Sequence, residues 1–229
     1  VGFGRTSQAA GEFLMTDDAR TVPTRCTECE AHLDFPMVCT GCRQLYPVPE
    51  SVDYFTLLGL DRRYDLDEEQ LHGVCLGLAR YIHPDRFAEA PEEVRRLATR
   101  LSAEVNNAVA VLLDPVRRAS YLLDLAGGPT AGQERGVPGE LLREVLVLRE
   151  QITEAKERHD EAELERLRAT IGSQREENLR RIAPLAEGAC AADAGHRREL
   201  RLRLNAMKYW DNLLAESTPD PLAPATPKP

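Results

Sequence analysis

A chain of 229 residues with 42% hydrophobic content is long enough for one large or two small domains, and 5% aromatic content with little strand-like alternation excludes a β-rich fold. A formal net charge of -9 at pH 7 argues against bulk binding to nucleic acid or anionic membrane, since both attract basic surfaces. No apolar run is long enough to span a bilayer.

Residues 1–22 read as a disordered extension. The segment from Val1 to Arg25 lacks the apolar core of a secretory leader, and Glu12, Asp17 and Asp18 are at odds with an acid-poor transit peptide. Lysine occurs only at Lys156, Lys208 and Lys228 among 29 basic residues, an arginine bias common in high-GC bacteria. A bacterial cytoplasmic protein is therefore expected in preference to a mitochondrial matrix one.

Residues 23–48 hold two CxxC pairs, Cys26-Thr27-Glu28-Cys29 and Cys39-Thr40-Gly41-Cys42. Each pair at this spacing forms a tight turn that aims two sulfurs at one ion, so the four suit a closed tetrahedral zinc site. A pair of disulfides, another metal and redox chemistry are the alternatives. His32, between the pairs, reads as a bystander. Cys75 and Cys190 read as small buried or half-buried hydrophobes.

Helices are predicted from there on. Asp53 to Leu60 is a short apolar helix with a Gly stop. The next has Leu71, Val74, Cys75, Leu78 and Ile82 on its inner face, Asp67 and Gln70 in a capping box, and Leu66 and Leu71 as a staple. Pro84 ends it near Ile82, because the residue before a proline is steered out of the α region. After His83-Pro84-Asp85, Pro91 opens another helix whose stripe is Val94, Leu97, Leu101, Val105, Ala108 and Leu112. Asp114-Pro115 opens a further one, which ends at glycines. The result is a helical hairpin with His83-Pro84-Asp85 exposed at its tip.

Residues 127–139, rich in Gly, Pro and Thr, read as a linker. Residues 140–216 carry three apolar stripes: Leu141, Val145, Leu148, Ile152 and Ala155; Leu164, Leu167, Ile171, Leu179, Ile182 and Leu185; Leu200, Leu204, Met207, Trp210 and Leu214. An antiparallel three-helix bundle buries all three. Leu142 and Leu146 fall outside the first stripe, beside Glu150 and Glu154, and read either as a wide buried face or as a docking ridge. Arg197, Arg198, Arg201 and Arg203 read as a solvated helix face. Residues 217–229 are Pro-rich and read as a disordered tail. The fold class is thus all-α, with a J-domain-like region at 51–126, the bundle behind it and a zinc knuckle in front.

The segment Asp53-Tyr54-Phe55 to Leu60, the His83-Pro84-Asp85-Arg86-Phe87 tip, Val105-Asn106-Asn107-Ala108 and Arg118-Ala119-Ser120-Tyr121-Leu122-Leu123 resemble the HscB-type J-domain co-chaperones of iron-sulfur cluster assembly. The resemblance runs from about Asp53 to about Leu214, and some HscB-like proteins carry a similar tetracysteine module. It implies a non-enzymatic protein that stimulates a DnaK/HscA-type ATPase through His83, Pro84 and Asp85, helped by Arg80 and Arg86. It also implies that Leu142, Leu146, Glu150, Glu154 and Tyr209 hold an IscU-type scaffold. This chain departs from the family pattern at Arg143, usually apolar, and Val147, usually acidic. Its basic face before the tip is sparse, with Arg62 and Arg63 further upstream. The alternatives are a general J-domain protein recruiting another client, and a redox-active metal-thiolate protein. A monomer or weak homodimer is expected, with structural zinc as the cofactor.

Overall fold

The computed structural model describes residues 23–49, 51–189 and 191–218. The extension expected at 1–22, Cys190 and the tail beyond Thr218 lie outside the described residues. Among those described, the fold is all-α: seven α-helices and one short 3-10 helix, with only isolated β-bridges around the cysteines. The helices are α1 Tyr54–Leu58, α2 Glu68–Ile82, α3 Glu92–Leu113, α4 Pro115–Leu125, α5 Leu141–Glu157, α6 Glu161–Glu187 and α7 Ala194–Glu216. No helix among the described residues is long and apolar enough to cross a membrane. The chain forms two compact units, one from the described residues up to Leu60 with Leu78–Val105, the other from Asp61–Gly77 with the chain from Asn106 onward. Their boundaries fall inside α2 and α3.

In the first unit, α1 follows local chemistry closely. The Asp53 carboxylate accepts from the Phe55 and Thr56 N–H groups, satisfying donors the first turn leaves free, and Gly59 closes the helix at φ 67°. A Cβ at Gly59 would lie 3.5 Å from the Phe35 ring, so the cysteine module rests directly on this cap. Leu78 and Ile82 at the end of α2 are buried, as are Ala98, Leu101 and Val105 of α3. The Ser102 hydroxyl donates to the Ile82 carbonyl at 3.0 Å, supplying one of the partners that the end of α2 lacks.

In the second unit, the Asp67 carboxylate caps the start of α2, accepting from the Glu69 and Gln70 N–H groups. α4 packs on α6 and α7, which also pack on each other and on α5. The bundle core joins Leu141, Val145, Leu148, Ile152 and Ala155 of α5 to Leu164, Leu167 and Ile171 of α6 and Ala206, Trp210 and Leu213 of α7. The α5 stripe is the one expected.

α6 differs from its expected stripe in its second half. Asn178 and Ala186 are buried where Leu179 and Leu185 were expected, and those two leucines are half-buried. The buried amide is satisfied, since Asn178 Nδ2 donates to the Arg203 carbonyl at 3.0 Å and contacts Met207 Sδ at 3.1 Å. Helical phase from Ile171 and Ile182 decides the register, and a satisfied asparagine is compatible with it.

α7 corrects a second expectation. Arg201 is buried, not solvated: its Nε donates to the Pro129 carbonyl at 2.8 Å and Nη2 lies 3.5 Å from the Asp124 carboxylate. Arg203 is mostly buried and pairs with Glu199, while Arg198 pairs with Glu134 at 2.6 Å. Asn205 Nδ2 donates to the Glu134 and Gly136 carbonyls. The stretch that reads as a linker is therefore fastened along α7. Ser217 is also buried, its carbonyl accepting from Arg168 Nη2 at 2.6 Å.

Candidate functional site: a tetracysteine cluster, an exposed tip and a leucine ridge

The cysteine module is built twice over. Cys26 N–H donates to the Ala31 carbonyl and Glu30 N–H to that of Cys26, while thirteen residues on Cys39 N–H donates to Gln44 and Arg43 N–H to Cys39. Leu33 N–H to Thr24 and Tyr46 N–H to Met37 repeat at the same offset. Glu30 and Arg43, the residue after each CxxC, both take positive φ, at 60° and 66°. Each knuckle thus turns its backbone sharply and points two sulfurs the same way.

The four sulfurs of Cys26, Cys29, Cys39 and Cys42 lie within 4.8 Å of one another. Two edges between knuckles, Cys26 to Cys42 and Cys29 to Cys39, are 3.4 and 3.6 Å. A tetrahedron of ~2.3 Å metal–sulfur bonds has edges of ~3.8 Å, so the cluster fits an ion of that size. These separations far exceed a ~2.05 Å disulfide bond, and all four cysteines are free. The four cysteines could hold a metal ion. His32 points away, its side chain 76% exposed beside Asp34.

The cluster is electrostatically uneven. Burial raises the Cys26 thiol, but hydrogen bonds from the Tyr46 hydroxyl, the Cys29 and Glu28 N–H groups and Cys42 outweigh it and bring the pKa down to about 6. At Cys42 the Gln44 N–H lowers the value, but sharing with Cys26, burial and the other sulfurs push it up to about 12. Tyr46 is the residue that motif spacing did not single out. Its hydroxyl donates to Cys26 Sγ at 3.1 Å and accepts from the Thr27 N–H at 2.9 Å. Its place in the thirteen-residue repeat is matched by Leu33, so only one knuckle has this donor.

The tip stands where the sequence placed it. α2 ends at Ile82, and Pro84 begins a 3-10 turn, Pro84–Phe87, for which its fixed φ is suited. His83 Nδ1 accepts from the Asp85 N–H at 3.3 Å. The His83 and Asp85 side chains are 56% and 90% exposed, so both are open to a partner. Arg80 and Arg86 are exposed as well.

The third feature is α5. Large hydrophobics exposed among the described residues are Leu76, Leu142, Leu146 and Val147, so three of the four lie on this helix. Leu142 and Leu146 are 49% and 67% exposed, which decides between the two readings: they lie outside the core. Glu150 and Glu154 continue that face, with Glu154 3.6 Å from Arg158. Val147, 49% exposed, widens the ridge. Tyr209 is half-buried and packs against the bundle core.

The known proteins that this chain is similar to are HscB-type co-chaperones. Residues 137–217 match the family described as the HSCB C-terminal oligomerisation domain. The chain is 33% identical over 146 residues to an iron-sulfur cluster co-chaperone protein HscB homolog of Arabidopsis thaliana, a match covering 64% of this chain and 56% of that protein. It is 39% identical over 116 residues to a co-chaperone protein HscB homolog of Azoarcus sp. (strain BH72), covering 50% of this chain and 66% of the relative. The chain thus spans less than two thirds of either relative. Human co-chaperone HscB shares the fold with a TM-score of 0.69 at 24% identity, over 84% of this chain and 96% of that one. HscB from Vibrio cholerae has a TM-score of 0.60 at 28% identity, over 72% and 95%. The chain is HscB-like in its carboxy-terminal domain, in its curated relatives and in its fold.

Proposed function

We propose that this protein is a non-enzymatic co-chaperone that stimulates the ATPase of a DnaK/HscA-type chaperone and delivers an IscU-type iron-sulfur scaffold to it. The observation that carries this reading is the leucine ridge on α5, which the bundle leaves uncovered while burying the neighbouring Leu141, Val145 and Leu148. Apolar anchors with an acidic continuation suit a protein partner. In this reading residues 51–126 face the chaperone and residues 140–216 hold the client. Holding both partners at once raises the client's effective concentration at the chaperone. Asp85 offers an exposed carboxylate to an arginine fork on the chaperone, and Pro84 fixes the turn that presents it.

The metal proposed for Cys26, Cys29, Cys39 and Cys42 is structural zinc, which four thiolates would hold with no open position. The proposed setting is the bacterial cytoplasm, which the arginine bias of the sequence favours over a mitochondrial matrix. A steady-state ATPase assay with chaperone and scaffold tests the function: His83→Gln should abolish stimulation. Leu142→Ala with Leu146→Ala should weaken scaffold binding on the order of 10-fold or more without changing the melting temperature, as expected for exposed anchors. Undiminished stimulation by His83→Gln, or unchanged scaffold affinity in the double variant, would refute the corresponding half of the reading.

A further inference from the structure

α5 carries charge as well as leucines. Arg143 and Glu150 are exposed, and among the described residues neither has an ion partner. They stand seven residues apart, which at about 100° per residue brings them within about 20° of one line along the helix, ~10.5 Å from each other. Leu146 and Val147 sit at the midpoint of that line, about 50° to either side of it. They are 67% and 49% exposed. The neighbouring charges are engaged or turned aside: Arg149 is paired with Glu216, Glu154 with Arg158, and Glu144 falls on the flank away from Leu146.

The order cation, apolar pair, anion is its own complement when read backwards. Two copies of α5 laid antiparallel about a twofold axis between Leu146 and Val147 bring each Arg143 opposite Glu150 of the second copy. Leu146 then meets Leu146, and Val147 meets Val147, across the axis. Packed helices commonly cross at ~20°, shallow enough for the ~10 Å between Arg143 and Glu150 to stay in register. At the ends, Glu140 of the second copy comes beside the Glu154 and Arg158 pair, which is neutral as a whole. A carboxylate at position 147 would face its own copy, and an apolar side chain at 143 would leave Glu150 unmatched. These are the two positions at which the chain departs from the family pattern.

We propose that a second copy of this chain covers the α5 ridge, forming a twofold antiparallel dimer held by Arg143 and Glu150 pairs around Leu146 and Val147. One helix face against another falls below the ~1,200 Å² of a stable complex, so the dimer is weak and exchanges with monomer. If the ridge also holds the scaffold, dimer and scaffold-bound monomer exclude each other. The self-pairing stands without that reading of the ridge, and the exclusion rests on it.

Sedimentation equilibrium of the full chain from ~5 to ~500 μM, without chaperone or scaffold, tests the pairing. The unmodified chain should show a monomer–dimer equilibrium. Arg143→Glu and Glu150→Arg should each weaken it by at least ~5-fold, because each places like charges opposite one another. An equimolar mixture of the two variants should dimerise at least ~5-fold more tightly than either alone, since both cross-pairs are then opposite in sign. A chain that stays monomeric throughout, variants that shift the equilibrium by less than ~2-fold, or a mixture no tighter than its components would overturn the pairing. Adding an IscU-type scaffold should then convert the dimer into a one-to-one complex. A scaffold that binds and leaves the dimer intact would overturn the exclusion. One that does not bind at all would overturn the proposed function and the exclusion with it, and leave the dimer standing.

Discussion

Tyr46 is the side chain whose hydroxyl reaches into the tetracysteine cluster. A hydroxyl donated to a ligating sulfur orients it and spreads its charge, and partners of this kind change metal affinity by about 10–100-fold. Tyr46→Phe keeps the ring against Cys26, Leu33 and Cys39 and removes only that donor. Its metal affinity, read by competition with a chelating dye, should fall about 10-fold, and an unchanged affinity would show the bond to be incidental. Glu134 offers a pH test. The Gly136 N–H, and after it Arg198, hold its carboxyl below the ordinary value of 4.5. A depressed carboxylate stabilises the fold above its unfolded value, and that contribution is lost as pH falls through the folded one. The Gly136 amide resonance should therefore titrate with a midpoint below 4.5, and a midpoint at or above it would contradict the contact.

At the scale of elements, α7 organises the second unit through polar contacts that its hydrophobic pattern did not disclose. Arg201 reaches the Pro129 carbonyl and Asp124, and Asn205 reaches two further carbonyls of the stretch before α5. Arg201→Ala would leave the half-buried Pro129 carbonyl without its donor, a loss of about 1 kcal/mol, and would also remove the packing of a buried side chain. A clear drop in thermal midpoint is expected for Arg201→Ala, whereas Arg197→Ala removes only the contact to the Ala192 carbonyl and should cost much less. Equal stabilities would mean that the stretch is held by other contacts. Periodicity found α5 correctly because its core positions are all apolar. In the second half of α6 it found Ile182 but missed the core position taken by Asn178, beside which Leu179 is left half-buried.

For the whole molecule, the tetracysteine module and the helices rest on different forces. Around the cysteines the buried residues are few, chiefly Cys26, Leu33, Met37, Val38, Cys39 and Leu45, and the module forms no regular strand or helix of its own. Metal binding should supply much of the module's folding energy, on the order of 10 kcal/mol. The helical bundle has its own apolar core. Chelation should therefore move the amide signals of residues 23–48 to random-coil positions while the far-UV helical signal stays nearly constant. A cooperative loss of helix on chelation would show instead that the helices depend on the metal.

The sequence by itself determined the helices, the two CxxC knuckles and the His83-Pro84-Asp85 turn, because periodicity, capping residues and proline act over a few residues of chain. It also placed Leu142 and Leu146 off the core stripe, but left open whether anything covered them. Only the tertiary structure decided that they are exposed, that Arg201 is buried while Arg198 is not, and that Tyr46 reaches Cys26 across twenty residues. Each of these depends on which distant segment arrives at a surface, and side-chain spacing along one helix holds no record of that.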